Sequence, residues 1–517
     1  MIQLTINTIP VELKEGSTLL QAAAQAGVEI PTLCHDGQLE HFTSCMVCMV
    51  MDNATGKLLP ACTAKAYDGM VVITGGEEIL EARKVALELL LSEHAGDCEA
   101  PCRVSCPAFM DIPTMNRLMA AGKMEEALQV VMKDIALPAV MGRICPAPCE
   151  GACKRKPIDE AVSICLLKRF TADAATAYPE ILVPEPTGKK VAIIGAGPAG
   201  LAAAFYLQQK GISVKVYDAN PLPGGALRYS IPDEELEKAV LDREIDHIAA
   251  SGVEFMLNTK VDVQLFSQLC NEYDAVILAT GDYTSAMDAW GLENNGKQLL
   301  VNKSTYQTSM DNVFAIGNVN RSARMAIRSA AQGKEMAKVI MQLFSGQPVE
   351  GEKRAFNSTL GKLMEVEFAE YMKEGSAERR QQPQAEPGSG FDEATARREA
   401  ARCLHCDCRK PDTCKLRIYA GEYEAAKKRF AYTTRKPVKK IIQQDLLVYE
   451  PGKCIKCGIC VRITAKQKER FGFTFIGRGF DVEIGIPFGQ NLEHALEKTA
   501  EDVVKACPTG ALAPLKK

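Results

Sequence analysis

Cysteine placement constrains this chain more than any other feature. Nineteen of its twenty cysteines crowd into four groups, at 34–62, 98–165, 403–414 and 454–507, while the stretch 178–399 holds Cys270 alone. Disulfide frameworks belong to oxidising compartments and to small secreted domains that lack a sufficient core. This chain has 517 residues, 47% of them hydrophobic and 24% charged, which is enough for several ordinary cores. Its first residues show no basic region followed by an apolar run, and no apolar stretch of about 18 residues occurs. The expectation is a cytoplasmic protein, without a membrane span, whose thiols are reduced and ligate metal. A formal net charge of -4 gives no cationic field for nucleic acid. Cys270, standing alone, reads as an inert core thiol.

Residues 2–15 alternate like a half-buried hairpin, and Gly16-Ser17-Thr18 then opens a helix with Leu19, Leu20, Ala23 and Ala24 on its apolar positions. A loop carrying Cys34, Cys45 and Cys48 follows, and Cys62 comes after a further predicted strand. A tight pair with two outliers suits two irons held by loops on a small sheet. A structural zinc site is the alternative, although the spacing is spread for a zinc knuckle. This segment resembles the [2Fe–2S] β-grasp domain at the N-terminus of the large iron–sulfur subunit of complex I and of related hydrogenases and formate dehydrogenases.

The second group holds His94, Cys98, Cys102, Cys106, Cys145, Cys149, Cys153 and Cys165. Eight such ligands match two [4Fe–4S] clusters, and two zinc sites satisfy the same arithmetic. The segments Cys106-Pro107-Ala108, Asp111-Ile112-Pro113, Leu137-Pro138-Ala139-Val140, Gly142-Arg143-Ile144-Cys145-Pro146 and Leu167-Lys168-Arg169-Phe170 resemble the glutamate synthase small subunit. That resemblance covers about residues 90–350. It implies that Cys98, Cys102 and Cys153 share one cluster while Cys106, Cys145 and Cys149 share another. The family has a further cysteine upstream, where His94 is the nearest candidate, as ligand or as surface histidine. Lys168 stands where some relatives carry a Glu or Gln ligand. Cys165, three residues earlier on nearly the same helix face, is a replacement ligand or a buried thiol.

Lys190-Val191-Ala192-Ile193-Ile194 reads as a buried parallel strand that runs into Gly195-Ala196-Gly197-Pro198-Ala199-Gly200 and a helix, and a second strand ends at Asp218. The glycines allow a tight turn and close approach of a pyrophosphate, and Asp218 can accept from a ribose hydroxyl. Pro223-Gly224-Gly225, Arg228-Tyr229-Ser230-Ile231-Pro232, Leu278-Ala279-Thr280-Gly281 and Val313-Phe314-Ala315-Ile316-Gly317-Asn318 resemble the FAD domain of the same subunit. FAD, with Gly281, Gly317 and Asn318 near it, is what the resemblance implies; relatives have Asp at the position of Asn318. In that family a nicotinamide-binding domain with its own glycine fingerprint is inserted after the Ala-Thr-Gly turn. Here only residues 282–315 fill that place, fewer than the roughly 50 of an autonomous domain and without such a fingerprint.

Residues 376–390 read as a polar linker, followed by a helix and by Cys403, Cys406, Cys408 and Cys414. Those four thiols are expected to wrap one [4Fe–4S] cluster, with zinc as the alternative. Cys454, Cys457 and Cys460 begin a bacterial ferredoxin motif, and Cys507-Pro508 resembles the end of a second. Since the last cysteine of each run ligates the other run's cluster, Cys507 completes the first. The other cluster would need positions 464, 497, 500 and 503, which are Thr464, Glu497, Ala500 and Val503, so one cluster is expected to survive. Lys427, Lys428, Arg429, Arg435, Lys436, Lys439 and Lys440 form a basic run, read as a solvated face or as a docking patch for an acidic partner.

The predicted fold is multidomain α/β and α+β: a β-grasp ferredoxin over 1–78, a helical two-cluster domain over 79–186 and a Rossmann-like FAD domain over 187–350. A helix and linker over 351–395, a four-cysteine segment over 396–445 and a ferredoxin-like domain over 446–517 complete it. One [2Fe–2S], about four [4Fe–4S] and an FAD make an electron-transfer subunit of a soluble NAD(P)-linked oxidoreductase complex, with electron bifurcation as one mode. By resemblance of the first module, its partner is an NADH-oxidising FMN and iron–sulfur subunit of complex I type, with ferredoxin, a hydrogenase or a formate dehydrogenase as further candidates. A stand-alone flavoenzyme like the glutamate synthase small subunit, or a scaffold with a vestigial flavin fold, are the competing expectations.

Overall fold

The computed structural model describes all residues except 40–42, 322–324, 384–388, 432–434, 444–445 and 516–517. The chain forms two compact units, one of Met1–Glu99, Ala355–Lys373 and Cys406–Lys517, the other of Ala100–Arg354 and Glu374–His405. Among the described residues no helix is long and apolar enough to cross a membrane.

The first unit opens with the expected hairpin, Ile2–Ile6 against Ile9–Leu13, whose inward positions Ile2, Leu4, Ile6, Val11 and Leu13 are buried. Val71–Ile73 pairs parallel to Ile2–Ile6, and Met49–Asp52 and Lys57–Pro60 complete a five-stranded sheet. The helix Leu19–Gln25 covers it. Thr18 caps that helix reciprocally with Gln21, which fixes where the chain turns from strand to helix. A second core joins the start and end of the chain, since Leu33, Leu87 and Leu91 pack with Leu416, Leu447, Ile459 and Val503. The segments expected as separate domains at 1–78 and 446–517 therefore lie in one compact unit.

The basic run lies in this unit, and five of its seven cations have partners there. Lys427 donates to Ser358 Oγ at 2.8 Å, Arg429 pairs with Glu81 and Glu88, Arg435 with Glu367, and Lys436 with Asp481. Lys440 is buried with its ammonium 4.4 Å from the Tyr371 ring centre. Lys428 and Lys439 are exposed. The run is a largely solvated face, with Lys428, Arg429, Lys436 and Lys439 exposed, and several of its cations also tie segments of the unit together.

The second unit holds a parallel sheet in the order Val313–Ala315, Ala275–Leu278, Lys190–Ile194, Ser213–Tyr217, Glu254–Met256. Burial on both faces explains the unbroken apolar run of its central strands. Helices Ile112–Ala120, Met124–Met132, Pro138–Ile144 and Ile164–Asp173 form a core continuous with that sheet's helices. The expected linker is only in part a linker, and its residues 384–388 lie outside the described residues. Arg380 donates to Ser163 Oγ and pairs with Glu150, both at 2.8 Å, and Gln381 N donates to Glu399. Fully buried Arg155 and Arg402 share Asp159, with Arg402 also on Glu399 at 2.9 Å. These charges hold Glu393–Ala400 against the helical core, so the four-cysteine segment begins inside this unit.

Candidate functional site

In the first unit, Cys34, Cys45, Cys48 and Cys62 come together as the spacing predicts. Cys48 Sγ lies 3.2 Å from Cys62 Sγ, and Cys34 lies within hydrogen-bond reach of Cys45 and Cys62. All four are buried. Cys454, Cys457, Cys460 and Cys507 line a second enclosed pocket with Tyr449 and Ile484. Burial, and then the neighbouring thiols, push Cys454 and Cys457 up to about 12. Without a positive core these sulfurs stay protonated, and a cationic iron core offsets that repulsion, so the donor set fits a cluster.

The two cages are neighbours. Arg462 Nη2 donates to the carbonyl of Cys34 at 3.2 Å and to that of Cys457 at 3.5 Å. Nothing in the sequence pointed to Arg462, which sits on a helix, Ile459–Lys466, far along the chain from Cys34.

Three of the four positions that a second ferredoxin cluster would use are buried interior, and the fourth is on the surface. Ala500 and Val503 join the apolar core, Glu497 is exposed, and Thr464 Oγ accepts from Phe473 N at 3.1 Å while donating to Val461 O. Their roles are structural.

The group 403–414 divides. Cys408 and Cys414 lie with Cys98 and His94 around one pocket of the first unit. Cys408 N donates to Cys98 O at 3.1 Å. Cys406, in the same unit, acts on Tyr371 and Lys440. Cys403 belongs to the second unit, where it lies within electrostatic reach of Cys153. Two sequence-based groupings change accordingly: Cys98 joins Cys408 and Cys414 instead of Cys102 and Cys153, and the four-cysteine segment does not wrap a single centre. Burial, with Lys427 and Lys453 nearby, pushes His94 down to about 3, which leaves a neutral imidazole.

In the second unit, Cys106, Cys145, Cys149 and Cys165 surround the Lys168 ammonium, whose Nζ is 3.9 Å from Cys165 Sγ. Burial opposes that charge, and the attraction of the four cysteine sulfurs as thiolates outweighs the penalty, so Lys168 is held above its usual range. Cys165 thus stands with the other three. Lys168 is no ligand; it is a fixed cation beside them. Cys102 is half-buried on the short helix Pro101–Ser105. Cys270 is partly buried and away from every cage, with burial raising its thiol pKa.

The dinucleotide cradle follows the strand Lys190–Ile194. Gly195 has φ +112°, and a Cβ there would stand 2.2 Å from Ala279 O. Gly225, at φ +51°, approaches so closely that its Cβ would lie 2.8 Å from Gly197 Cα. Pro198, Ala199 and Gly200 form the first turn of Pro198–Gln208, in which Ala199 and Gly200 carry N–H groups that an anion can accept from. Asp218 closes the cradle by accepting from Ala196 N at 2.7 Å and Asn220 N at 2.8 Å. Gly224 N donates to Ala196 O at 2.8 Å. Arg228 donates to Pro223 O at 2.6 Å and pairs with Asp242. Gly281, at φ +84°, opens on empty space. Gly317 N donates to Gln332 Oε1 at 2.6 Å, and Asn318 Nδ2 donates to Asp282 at 3.0 Å. The turn is thus closed so tightly that only glycine fits at Gly195 and Gly225, the geometry that brings backbone N–H groups of the helix start close to a pyrophosphate. Residues 282–315 are packed: Met287, Trp290, Leu292 and Leu299 share a core with Phe266, whose ring stacks on Trp290 at 4.8 Å.

Family models match a 2Fe-2S iron-sulfur cluster binding domain over residues 1–76, dihydropyrimidine dehydrogenase domain II with its 4Fe-4S cluster over 91–179, and pyridine nucleotide-disulphide oxidoreductase over 189–299. The chain is 39% identical over 222 residues to the NADP(+)-dependent formate dehydrogenase subunit beta of Moorella thermoacetica, covering 38% of this chain and 31% of that protein. It is 39% identical over 193 residues to the NADPH-Fe(3+) oxidoreductase subunit beta of Geobacter sulfurreducens, covering 36% and 29%. It is 40% identical over 199 residues to the glutamate synthase [NADPH] small chain of Bacillus subtilis, covering 36% and 40%. The chain thus spans well under half the length of these relatives. It carries 2Fe-2S, 4Fe-4S and flavin-type pyridine nucleotide oxidoreductase domains, and its resemblance to the glutamate synthase small chain stands.

Proposed function

We propose that this chain is an electron-transfer subunit of an NAD(P)-linked oxidoreductase complex, holding FAD, one [2Fe–2S] cluster and about four [4Fe–4S] clusters. When bound, these groups supply one- and two-electron redox chemistry. The protein's own residues do the rest. The contact that carries the reading is Arg462, which touches both the Cys34 loop and the Cys457 loop and so fixes two thiol cages side by side. Electron tunnelling falls steeply with distance, and adjacent fixed cages suit a relay better than isolated structural sites.

In the second unit, Gly195 and Gly200 let the strand, turn and helix pack with no room for a Cβ, Gly197 and Gly225 approach each other without side chains, and Asp218 holds the turn. The packed connection at 282–315 provides no second glycine-rich turn for a nicotinamide. Nicotinamide oxidation is therefore assigned to a partner, an FMN and iron–sulfur subunit of complex I type, with ferredoxin, a hydrogenase or a formate dehydrogenase beyond it.

Anaerobically purified protein tests this. Flavin and iron are expected in the same preparation, with the flavin bleached by dithionite and left oxidised by NADH or NADPH alone. Rapid bleaching by either nucleotide would transfer the reading to a stand-alone flavoenzyme. A preparation with clusters and no flavin would favour the scaffold.

A further inference from the structure

The pocket shared by His94, Cys98, Cys408 and Cys414 has the construction of a single centre. Two stretches of chain meet there. Cys408 N donates to Cys98 O at 3.1 Å, and Arg417 pairs with Glu99 at 2.5 Å across 318 sequence positions, both side chains buried. Gly510 closes the third side, where a Cβ would stand 2.3 Å from Cys408 Sγ. Leu91, Phe356 and Leu416 supply apolar walls.

The sulfurs already receive backbone donors. Ser358 N lies 3.4 Å from Cys98 Sγ, and the N–H groups of Arg417 and Gly510 reach Cys414. Such hydrogen bonds stabilise cluster thiolates and set their potential. Three thiols leave one corner of a cubane open. The His94 ring lines the same pocket, and its Nδ1 is shut off from solvent with no hydrogen-bond partner among the described residues. An imidazole nitrogen buried in this way needs a proton donor or a metal. The four donors ring a cavity and do not meet at a point: among the described residues no three His, Cys, Asp or Glu groups converge as ligands of one ion would.

We infer that His94, Cys98, Cys408 and Cys414 hold one [4Fe–4S] cluster with the imidazole as its fourth ligand, while Cys403 serves a different cluster. The inference rests on the iron–sulfur reading of the chain and deepens it. A neutral imidazole in place of a thiolate makes the centre one charge less negative than its all-cysteine neighbours, which raises its potential.

Iron and acid-labile sulfide are counted on the full-length chain, purified anaerobically. His94→Ala, Cys408→Ala and Cys414→Ala are each expected to lose one cluster's worth of iron, and the double variant His94→Ala/Cys414→Ala no more than that. Cys403→Ala combined with Cys414→Ala is expected to lose two. His94→Cys, the conservative replacement, keeps the full iron content, and the histidine-nitrogen coupling that 15N-histidine labelling identifies in the reduced wild type disappears. Additive losses for His94→Ala and Cys414→Ala, or a nitrogen coupling that survives His94→Cys, would overturn the assignment. Stoichiometric zinc with no sulfide in the wild type would instead remove the iron–sulfur reading itself, which separates the two failures.

Discussion

Two cages of the first unit were built in opposite ways. Cys454, Cys457 and Cys460 sit on one turn of chain, with Cys507 brought back by the pairing of Leu512–Pro514 with Leu447–Tyr449. The cage of His94, Cys98, Cys408 and Cys414 depends on stretches joined by tertiary contacts, among them the buried Arg417–Glu99 pair. A local cage needs its loop, whereas a gathered cage needs the whole unit. Arg417→Leu, which leaves the Glu99 carboxylate buried without its partner, is therefore expected to cost about 3–5 kcal/mol in denaturant unfolding of the anaerobic protein. Adding Glu99→Leu should restore most of that loss, because two apolar groups of similar volume replace the ion pair well. Cluster content sharpens the contrast: the gathered cage loses iron in the single variant and the Cys454 cage keeps it. Equal loss from both would show that the distinction between them is false.

The same contrast explains what the sequence made legible. The hairpin at Ile2–Leu13, the capped helix at Leu19, the Cys34–Cys62 cage and the glycine turn at Gly195 each depend on residues near one another in the chain, so spacing and periodicity reveal them. The division of Cys403 from Cys408 escaped because a five-residue interval looks like one site. What divides it is packing: Arg402 is drawn into the second unit by Asp159 and Glu399, and Cys408 is held against Cys98 in the first. The pairing within the basic run escaped for a related reason, since the partners of Arg429 and Arg435 are Glu81, Glu88 and Glu367, acids that no local window contains.

A second contrast concerns charge. The cage of Cys106, Cys145, Cys149 and Cys165 in the second unit has the buried Lys168 ammonium 3.9 Å from a sulfur. Lys456, a cation beside the Cys454 cage, is partly exposed and already paired with Glu93 at 2.7 Å. A buried cation stabilises the reduced, more negative state, so Lys168→Met is expected to lower the midpoint potential of its cluster by on the order of 100 mV. Lys456→Met should shift its neighbour far less, because solvent screens it. Redox titrations followed by electron paramagnetic resonance read both shifts. Equal shifts would mean that Lys168 acts as packing and not as charge.

The smallest effect belongs to the site that is no longer a cage. Val503 is fully buried where a second ferredoxin cluster would have had a ligand, packed with Ala500, Ile463 and Leu496. Hydrophobic burial stabilises the fold at this position. Removing the two methyl groups in Val503→Ala should therefore cost about 2 kcal/mol, seen as a lower denaturant midpoint. Its effect on the iron content of the Cys454 cage should be negligible, since Val503 supplies the floor of the fold and no donor. Thr464 sharpens the point. Its hydroxyl accepts from Phe473 N at 3.1 Å, so Thr464→Val leaves a buried N–H unpaired and should cost about 1–3 kcal/mol despite conserving shape. If both variants were neutral in stability and both lost iron, the position would still be serving a cluster, and the comparison between a kept and a filled site would fail.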